Sequence, residues 1–444
     1  MIRRQPARGA ASIEGRAAPG ALDVAHMLHA QWFLVLGALL ALMAYLRHVI
    51  ERLPVSTAMI YLAVGIALGP SFAGWLAFDP LQQRELLETA AEVAVLLSLF
   101  TAGIKLRVPL GRAAWRLPLQ LAKLSMLATV VLVTLFGQLV LGLPTGLALL
   151  VAAVLAPTDP VLAADVQLRD PQDRDRLRLA LTGEAAMNDG TAFPFVFLGL
   201  GLLGLHELGV GGSGWLVRDL LWGTLGGLGI GFVVGHLAAM AARQLRRRHE
   251  DAVRHDEYLL LSVVALSYGA AVALQALGFL AVFAAALAVQ RVDRADVGPA
   301  PDGSHTAVAP GMLHLNEQFE RLIEVALVLL VGTMVSAGHW SWTGFALAAF
   351  LILVARPLAI PLGTWRTATL RPQRRLMGWF GIRGVGSVYY AAFAAGEGLA
   401  DATARALLDA VFTVIATSVV VHGVSATPLM SRYERHRARL PRRR

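Results

Sequence analysis

Three strongly polar side chains stand close together in the stretch GEAAMNDGTAFPF, which runs from Gly183 to Phe195. They are the carboxylates of Glu184 and Asp189 and the amide of Asn188. The residues around them are apolar enough to lie in a lipid bilayer, where a charged side chain costs roughly 2.5–3.5 kcal/mol on insertion scales. Ionisable residues in such a position mark functional sites, so this cluster is the first candidate for chemistry.

A second polar group lies in the stretch LAPTDPVLAAD, where Pro157 and Pro160 enclose Thr158 and Asp159. Proline interrupts a helix and leaves backbone carbonyls without their usual partners. Carbonyl, hydroxyl and carboxylate oxygens are the ligands that hard cations prefer. Together with the first cluster, this stretch predicts an oxygen-lined site for a monovalent cation.

The predicted ion- and proton-binding residues are Thr158, Asp159, Asn188 and Asp189. Burial disfavours the charged form of a carboxylate, and a second carboxylate nearby disfavours it further. A buried Asp189 can therefore hold a proton near neutral pH. Because a proton and a cation compete for the same carboxylate, binding of one expels the other, which is sufficient for their exchange.

Composition indicates a membrane protein. Of 444 residues, 56% are hydrophobic and 16% are charged, whereas about 25% of the residues in an average soluble protein are charged. The 43 glycines are typical of membrane helices that pack closely. The absence of cysteine excludes disulfides, thiolate metal sites and cysteine nucleophiles.

Apolar runs recur along the chain, and about 20 residues are needed to cross the hydrocarbon core as a helix. They predict an all-α polytopic membrane protein with about thirteen transmembrane helices and no soluble domain. The predicted helices lie near residues 31–50, 57–78, 86–104, 117–142, 144–167, 179–206, 213–240, 257–275, 277–290, 318–338, 342–364, 375–395 and 404–430.

The basic residues predict the orientation. Most of the 39 Lys and Arg residues follow odd-numbered predicted helices or lie in the C-terminal tail, and only Arg84, Arg218 and Arg405 lie in the joints after even-numbered helices or in the first turns beyond them. By the positive-inside rule, the odd-numbered joints and the C-terminus face the cytoplasm, as in a multi-pass protein of the cell inner membrane. The net charge of +9 is therefore attributed to topology, and no nucleic-acid partner is expected.

Both ends of the chain are predicted to lie outside the transmembrane domain, which covers residues 31–430. Residues 1–30 form an N-terminal tail with Met27 as a candidate start, and the four arginines of this tail conflict with the orientation above. Residues 431–444 form a basic cytoplasmic tail.

The number of helices predicts two inverted six-helix repeats, about 31–206 and 257–430, joined by a linker helix at 213–240. Helix n then corresponds to helix n+7, and transporters built in this way bind substrates where corresponding helices are interrupted. The proline-flanked stretch falls in predicted helix 5. Its partner, predicted helix 12, contains FGIRGVGSVYY, in which three glycines surround Arg383. Helices 5 and 12 are therefore predicted to be interrupted at the ion site.

Two intramembrane arginines are predicted to support this site. Arg356, in LVARPLAIPL, and Arg383 carry permanent charges that need anionic partners in a membrane. Glu184 lies one turn before Asn188 on the same helix face. We expect Glu184 to pair with Arg356, and Arg383 to stabilise helix 12 or the electrostatic field near the ion site.

The motifs APTDP and GE…ND resemble the signature of the monovalent cation/proton antiporter family that includes the bacterial NhaP-type and the animal sodium/proton exchangers. The stretches GPSFAGWL at 69–76, LFTAGIKL at 99–106 and GIRGVG at 381–386 are also similar to that family. The resemblance implies a homodimer in which a six-helix core moves against a dimerisation half. It also implies a secondary transporter that needs no cofactor, with a monovalent cation and protons as substrates.

The resemblance assigns shared binding of ion and proton to Asp189 and the support pair to Glu184 and Arg356. Two positions depart from the family pattern, because Thr101 stands where a glutamate is often found and Ala185 where a serine is common. Each change removes a family side chain that could supply an oxygen ligand, so ion selectivity does not carry over from the resemblance. Sodium is the first candidate ion, and a potassium/proton antiporter of the same fold is the alternative.

Two other classes of protein are less well supported. A channel or uniporter of the same architecture would not need a titratable carboxylate at the ion site. An intramembrane enzyme would need a nucleophile elbow, a metal-ligand cluster or an HExxH motif, and the sequence contains no such motif. The chain is therefore not expected to be an enzyme.

Overall fold

A computed structural model describes residues 56–108, 113–160, 175–248, 256–294 and 309–438, with isolated residues between 33 and 45 and between 162 and 173. Regular structure in these residues is helical throughout, without a β-strand, which confirms the all-α fold class. The chain divides into two units, residues 1–52 and 53–444. The predicted tail at 1–30, most of the first predicted helix and residues 439–444 lie outside the described residues.

The helices are numbered in chain order. They are α1 (Thr57–Leu68), α2 (Arg84–Lys105), α3 (Ala113–Leu139), α4 (Thr145–Leu155), α5 (Arg176–Leu202), α6 (Gly223–Arg248), α7 (Asp256–Ala273), α8 (Gly278–Arg294), α9 (Ala309–Ser336), α10 (Trp342–Gly363), α11 (Arg371–Trp379), α12 (Val385–Gly396) and α13 (Asp401–Ala438). Short helical turns at Val210–Gly212 and Trp215–Trp222 lead into α6.

Five stretches within the described residues are long and apolar enough to cross a membrane. They are Arg84–Lys105, Ala113–Leu139, Val210–Leu245, Trp342–Gly363 and Asp401–Ala438. Shorter apolar helices at Thr57–Leu68, Thr145–Leu155 and Tyr258–Ala273 accompany them. Length and composition therefore agree with a membrane protein.

Several predicted helices end earlier than expected. The second, predicted for 57–78, ends at Leu68 because Gly69 and Pro70 follow it. The fifth, predicted for 144–167, ends at Leu155, just before the two prolines of APTDP. The twelfth, predicted for 375–395, is two helices, α11 and α12, separated by an extended segment. The last two differences confirm that the proline- and glycine-rich stretches break their helices.

Helix α5 carries the polar cluster of GEAAMNDGTAFPF, and every residue from 180 to 190 is buried. Its start is fixed by Asp175, whose carboxylate accepts hydrogen bonds from the backbone N–H groups of Leu177 at 2.9 Å and Arg178 at 3.0 Å. An aspartate at this position satisfies backbone donors that have no partner inside the helix. The polar cluster therefore lies on a helix surrounded by protein.

The last helix, α13, continues past the predicted membrane span and packs against the start of α5. Tyr433 donates to Asp175 at 3.0 Å, and the guanidinium of Arg437 lies 2.9 Å from the same carboxylate. Arg178 pairs with Glu434 at 2.7 Å. Residues 431–438, which were predicted to begin the tail, are thus helical and hold α5 in position.

A stripe of glycines brings α6 into backbone contact with α8. Gly227, Gly231 and Gly235 recur every fourth residue, and a Cβ atom on each would overlap a backbone carbonyl of the segment 277–285. Small residues at this spacing allow membrane helices to approach closely. By contrast, Gly229 on the same helix is exposed, and nothing lies within 4 Å of the position of its missing Cβ.

We expect Gly231→Ala to destabilise the protein and Gly229→Ala to leave its stability unchanged or slightly higher. Alanine favours a helix over glycine by about 1 kcal/mol at either position, but only at 231 does the added methyl group meet packed backbone, at a cost of about 1–3 kcal/mol. The measurement is the midpoint of thermal unfolding in detergent. Equal midpoints for the two variants would contradict the close contact of α6 with α8.

Candidate ion-binding site

Two helix breaks meet inside the protein and form the framework of the site. Helix α4 ends at Leu155, before the APTDP stretch, and α11 ends at Trp379, before the extended segment that leads to Val385. The two segments are joined by a hydrogen bond from the backbone N–H of Asp159 to the carbonyl of Ile382, at 2.9 Å. The stretches that sequence analysis predicts as corresponding breaks are therefore in direct contact.

Asp159 caps the start of α12 across this contact. One carboxylate oxygen accepts a hydrogen bond from the backbone N–H of Val385, and the other accepts from Leu162 at 3.1 Å. A carboxylate is stabilised at a helix N-terminus by the free N–H groups and by the helix dipole. The contact depends on Gly384, because a Cβ atom at that position would overlap the carboxylate of Asp159.

Arg383 donates hydrogen bonds to backbone carbonyls that follow the C-terminal ends of the broken helices or lie at them. Its side chain donates to the carbonyl of Leu155, the last residue of α4, and to the carbonyl of Gly381 at 2.7 Å. A cation is stabilised at a helix C-terminus, where the carbonyls lack partners. Its backbone N–H donates to Ser418 of α13 at 3.0 Å.

Glu184 and Arg356 form a bidentate ion pair, in which two guanidinium nitrogens donate to the two carboxylate oxygens. Both side chains are buried. The bond between Arg356 Nη2 and Glu184 Oε2 is 2.8 Å long. The same guanidinium also donates to the carbonyl of Met377 at 3.0 Å and to that of Phe380 at 3.1 Å. Arg356 therefore connects α5, which carries the polar cluster, to the end of α11.

Asn188 and Thr158 connect α5 to the first break. The Asn188 amide donates to the Thr158 hydroxyl at 2.9 Å, whereas its carbonyl oxygen is buried and has no hydrogen-bond partner. Asp189 follows it, and only 1% of Asp189 is exposed. Both carboxylate oxygens of Asp189 also lack a hydrogen-bond partner.

Three buried oxygens without partners therefore lie on neighbouring residues of α5. A buried polar atom in this condition calls for an explanation, since nearly all such atoms in proteins are satisfied. Gly386 of α12 faces Asp189, and a Cβ at this glycine would lie 2.9 Å from its carboxylate. Asn188, which precedes Asp189, contacts Thr158, which precedes Asp159, so the two aspartates are close. The arrangement can hold a cation or a proton.

The charges around the breaks do not balance. Three buried carboxylates, on Asp159, Glu184 and Asp189, lie with two buried guanidiniums, on Arg356 and Arg383. When all five groups are ionised, one negative charge remains. No group of three or more histidine, aspartate or glutamate residues that could hold a metal ion is found in the described part of the chain.

Two hydroxyl groups of α12 contact the site without a sequence pattern that predicts them. Tyr390 donates a hydrogen bond to the backbone carbonyl of Asp189. Ser387 donates to the carbonyl of Val154 in α4 at 2.8 Å. Both residues belong to the quoted stretch FGIRGVGSVYY, but no periodicity indicates which helix a hydroxyl will contact.

Aromatic side chains separate Asp189 from a cavity beyond it. Phe193 lies one turn after Asp189 on α5 and packs edge to face against Tyr390, with their ring centroids 5.4 Å apart. On the other side of Phe193 is a cavity of about 410 Å³, whose lining includes Phe279, Tyr389 and Phe393. The ion site is therefore closed by aromatic rings toward the C-terminal end of α5.

Comparison with known proteins identifies the fold and the family. The family model for the transmembrane part of sodium/hydrogen exchangers matches residues 38–432. The fold is similar to that of the sodium proton antiporter MjNhaP1 from Methanocaldococcus jannaschii at pH 8, with a TM-score of 0.71 and 20% sequence identity over 91% of this chain and 98% of that one.

Similar curated proteins carry the names of antiporters for two different ions. The K(+)/H(+) antiporter NhaP2 of Shewanella sp. (strain MR-4) is 26% identical over 404 residues, which cover 89% of this chain and 66% of that protein. The chain thus spans just under two thirds of the length of this relative. The Na(+)/H(+) antiporter 2 of Zygosaccharomyces rouxii is 29% identical over 232 residues, which cover 49% of this chain and 28% of that protein.

The matched region includes both helix breaks and all of the buried charges described above. This agreement confirms the family that the sequence motifs resemble. The chain belongs to the sodium/hydrogen exchanger family, whose members are secondary transporters and not enzymes.

Proposed function

We propose that this protein exchanges a monovalent cation for protons across a membrane and that both ions bind at Asp189. The observation that carries the proposal is the buried Asp189 carboxylate, neither of whose oxygens has a hydrogen-bond partner. A proton on one oxygen or a cation between the carboxylate and the carbonyl oxygen of Asn188 would satisfy the group. Because one ligand excludes the other, alternate exposure of the site to the two sides of the membrane produces exchange.

The charge balance supports an exchange of one cation for one proton. The five buried charges at the breaks leave one net negative charge, which one monovalent cation or one proton neutralises. Asp159 accepts hydrogen bonds from two backbone N–H groups, which stabilise its ionised form. We therefore assign the exchanged proton to Asp189, and a structural role beside the ion to Asp159 with Thr158.

Sodium is the first candidate ion, because the APTDP and ND motifs resemble those of the sodium/proton exchangers. Potassium is the second, and it is favoured by relatives over 89% of the chain that are named K(+)/H(+) antiporters. Oxygen ligands from one carboxylate, one amide and one hydroxyl do not by themselves distinguish the two ions. A channel or uniporter of the same fold would move the cation without moving protons.

We propose a topology of thirteen transmembrane helices, with inverted repeats at about 31–206 and 257–430 and a linker helix at 213–240. The corresponding positions of the breaks in predicted helices 5 and 12 support it. The distribution of basic residues supports a cytoplasmic location for the odd-numbered joints and for the tail at 431–444, in the cell inner membrane. The N-terminal tail is assigned to 1–30.

Alternating access and a homodimer complete the proposal. The aromatic cluster around Phe193 closes the site toward the non-cytoplasmic side in this topology, so transport requires movement that reopens it. The homodimer rests on the resemblance to the family. In a dimer, a six-helix core would move against a dimerisation half.

We expect Asp189→Asn to abolish exchange, since an amide carries no negative charge to hold a cation and does not titrate. The measurement is cation-dependent loss of a proton gradient in everted vesicles from an antiporter-deficient host, with Na⁺, Li⁺ and K⁺ added separately. Asp401→Asn, the same chemical change at an exposed residue, should behave as wild type.

If the Asp189→Asn variant still exchanges cations for protons, the exchange site lies at another residue, and Asp159 is the first candidate. Cation flux without proton movement in the wild type would instead favour the channel or uniporter. The response to the three cations also decides between sodium and potassium.

We expect removal of only one of the two charges in the Glu184–Arg356 pair to lower the stability of the folded protein strongly. Glu184→Leu or Arg356→Met alone leaves a buried charge without its partner, which costs about 3–5 kcal/mol. The double variant removes both charges and should recover part of the lost stability, but not all, because Arg356 also holds two backbone carbonyls of α11 and its break. The measurement is the thermal midpoint in detergent, and purely additive losses would contradict the pairing.

A further inference from the structure

A second group of buried and half-buried oxygens lies where α9 packs against the last turns of α2. The first part of α9 carries Asn316, Glu317 and Glu320, and Asn316 and Glu320 are four residues apart on one helix face. Thr101 and Lys105 of α2 face them. None of these five residues contributes to the ion site described above.

The two glutamates differ in their partners. Glu317 is neutralised by Lys105, whose Nζ atom lies 2.7 Å from its carboxylate. Glu320 forms no such ion pair within the residues that the structure describes, and its carboxylate lies near the Thr101 hydroxyl and Lys105. Glu320 is half-buried, so it is open to solvent on one side. Glu320 is thus a carboxylate without an ion-pair partner in a mostly enclosed position.

A buried oxygen of Asn316 that has no hydrogen-bond partner is independent evidence for a ligand. It is completely buried, and its amide nitrogen donates to the carbonyl of Leu97 at 2.6 Å and to the hydroxyl of Thr101 at 2.7 Å. Its carbonyl oxygen is also buried but has no hydrogen-bond partner. Since the Thr101 hydroxyl accepts from Asn316, and Glu320 lies one turn after Asn316 and near Thr101, these three residues are neighbours. Such a group presents oxygen atoms and one negative charge to a ligand.

The location of this group connects it to the exchange site. Helix α2, which carries Thr101 and Lys105, also packs against α12, the helix whose start is capped by Asp159. In the proposed topology, the C-terminal end of α2 and the N-terminal part of α9 are on the cytoplasmic side. An ion that enters from the cytoplasm would therefore meet Glu320 before it reaches Asp189.

We propose that Glu320, Thr101 and the carbonyl oxygen of Asn316 form a second binding site for the transported monovalent cation, on its cytoplasmic path to Asp189. A single carboxylate with neutral oxygens balances one positive charge, and the nearby Lys105 disfavours a divalent ion. The inference rests on the proposed function for the identity of the ion. It does not require the cation to be sodium rather than potassium.

The first test compares Glu320→Gln with wild type in everted vesicles, whose outer surface is the cytoplasmic face. Loss of the charged ligand should raise the cation concentration for half-maximal exchange about tenfold, with little change in the maximal rate. In right-side-out vesicles the half-maximal concentration should not change. Thr101→Val, which removes only a hydroxyl, should shift it in the same direction, and Glu85→Gln at the other end of α2 should have no effect.

An unchanged half-maximal concentration for Glu320→Gln would overturn the inference, as would an equal shift on both faces or the same shift for Glu85→Gln. The sidedness comparison also shows that the variant is folded, because normal exchange from the other face requires an intact protein. If wild type does not exchange any cation, the proposed function fails, and the second test below decides on the site.

The second test measures binding without transport. In the Asp189→Asn background, Na⁺ or K⁺ should still raise the thermal midpoint of the purified protein through the remaining site, because a ligand that binds only the folded state stabilises it. Addition of Glu320→Gln should abolish this cation-dependent shift, and addition of Glu85→Gln should retain it. Absence of any shift in the Asp189→Asn protein, or a shift that survives Glu320→Gln, would contradict the second site.

Discussion

The structure depends on one constraint: where a helix is interrupted away from water, its free backbone groups need partners inside the protein. Each break leaves backbone N–H and C=O groups that must find partners inside the protein. Arg356 and Arg383 provide donors for carbonyls at the ends of α11 and α4, and Asp159 provides an acceptor at the start of α12. The buried charges and the broken helices therefore stabilise each other. Neither could remain in an apolar interior alone.

This arrangement explains why the carboxylates of two neighbouring aspartates have different surroundings. Both oxygens of Asp159 are engaged by backbone N–H groups, so its charge is used to complete a helix. Asp189 lies on an unbroken part of α5, which has no free backbone donors to offer. Its carboxylate is consequently left without a hydrogen-bond partner, which is the basis of the proposed ion site. The pair of Glu184 and Arg356 fixes the same helix without using this charge.

The framework and the ion ligands can vary separately. This chain and MjNhaP1 share a fold at 20% identity, and similar proteins are named for potassium and for sodium exchange. The contacts that hold the breaks are mostly to backbone atoms, which any sequence supplies. Side-chain oxygens at positions such as Thr101 and Glu320 are not required by the breaks. Under the proposed second site, they would alter ion entry and affinity within an unchanged framework.

The sequence by itself determined the all-α membrane class, the family and the two interrupted stretches, because hydrophobic length, proline and glycine act locally along the chain. It also indicated Asp189, since a carboxylate in an apolar run is conspicuous. Only the tertiary structure decided that the Asp159 carboxylate has backbone partners and that the Asp189 carboxylate has none. Asp159 meets Val385, and Asn316 meets Thr101, across separations of more than 200 residues. Such pairings follow from how helices pack in three dimensions, and no local pattern encodes them.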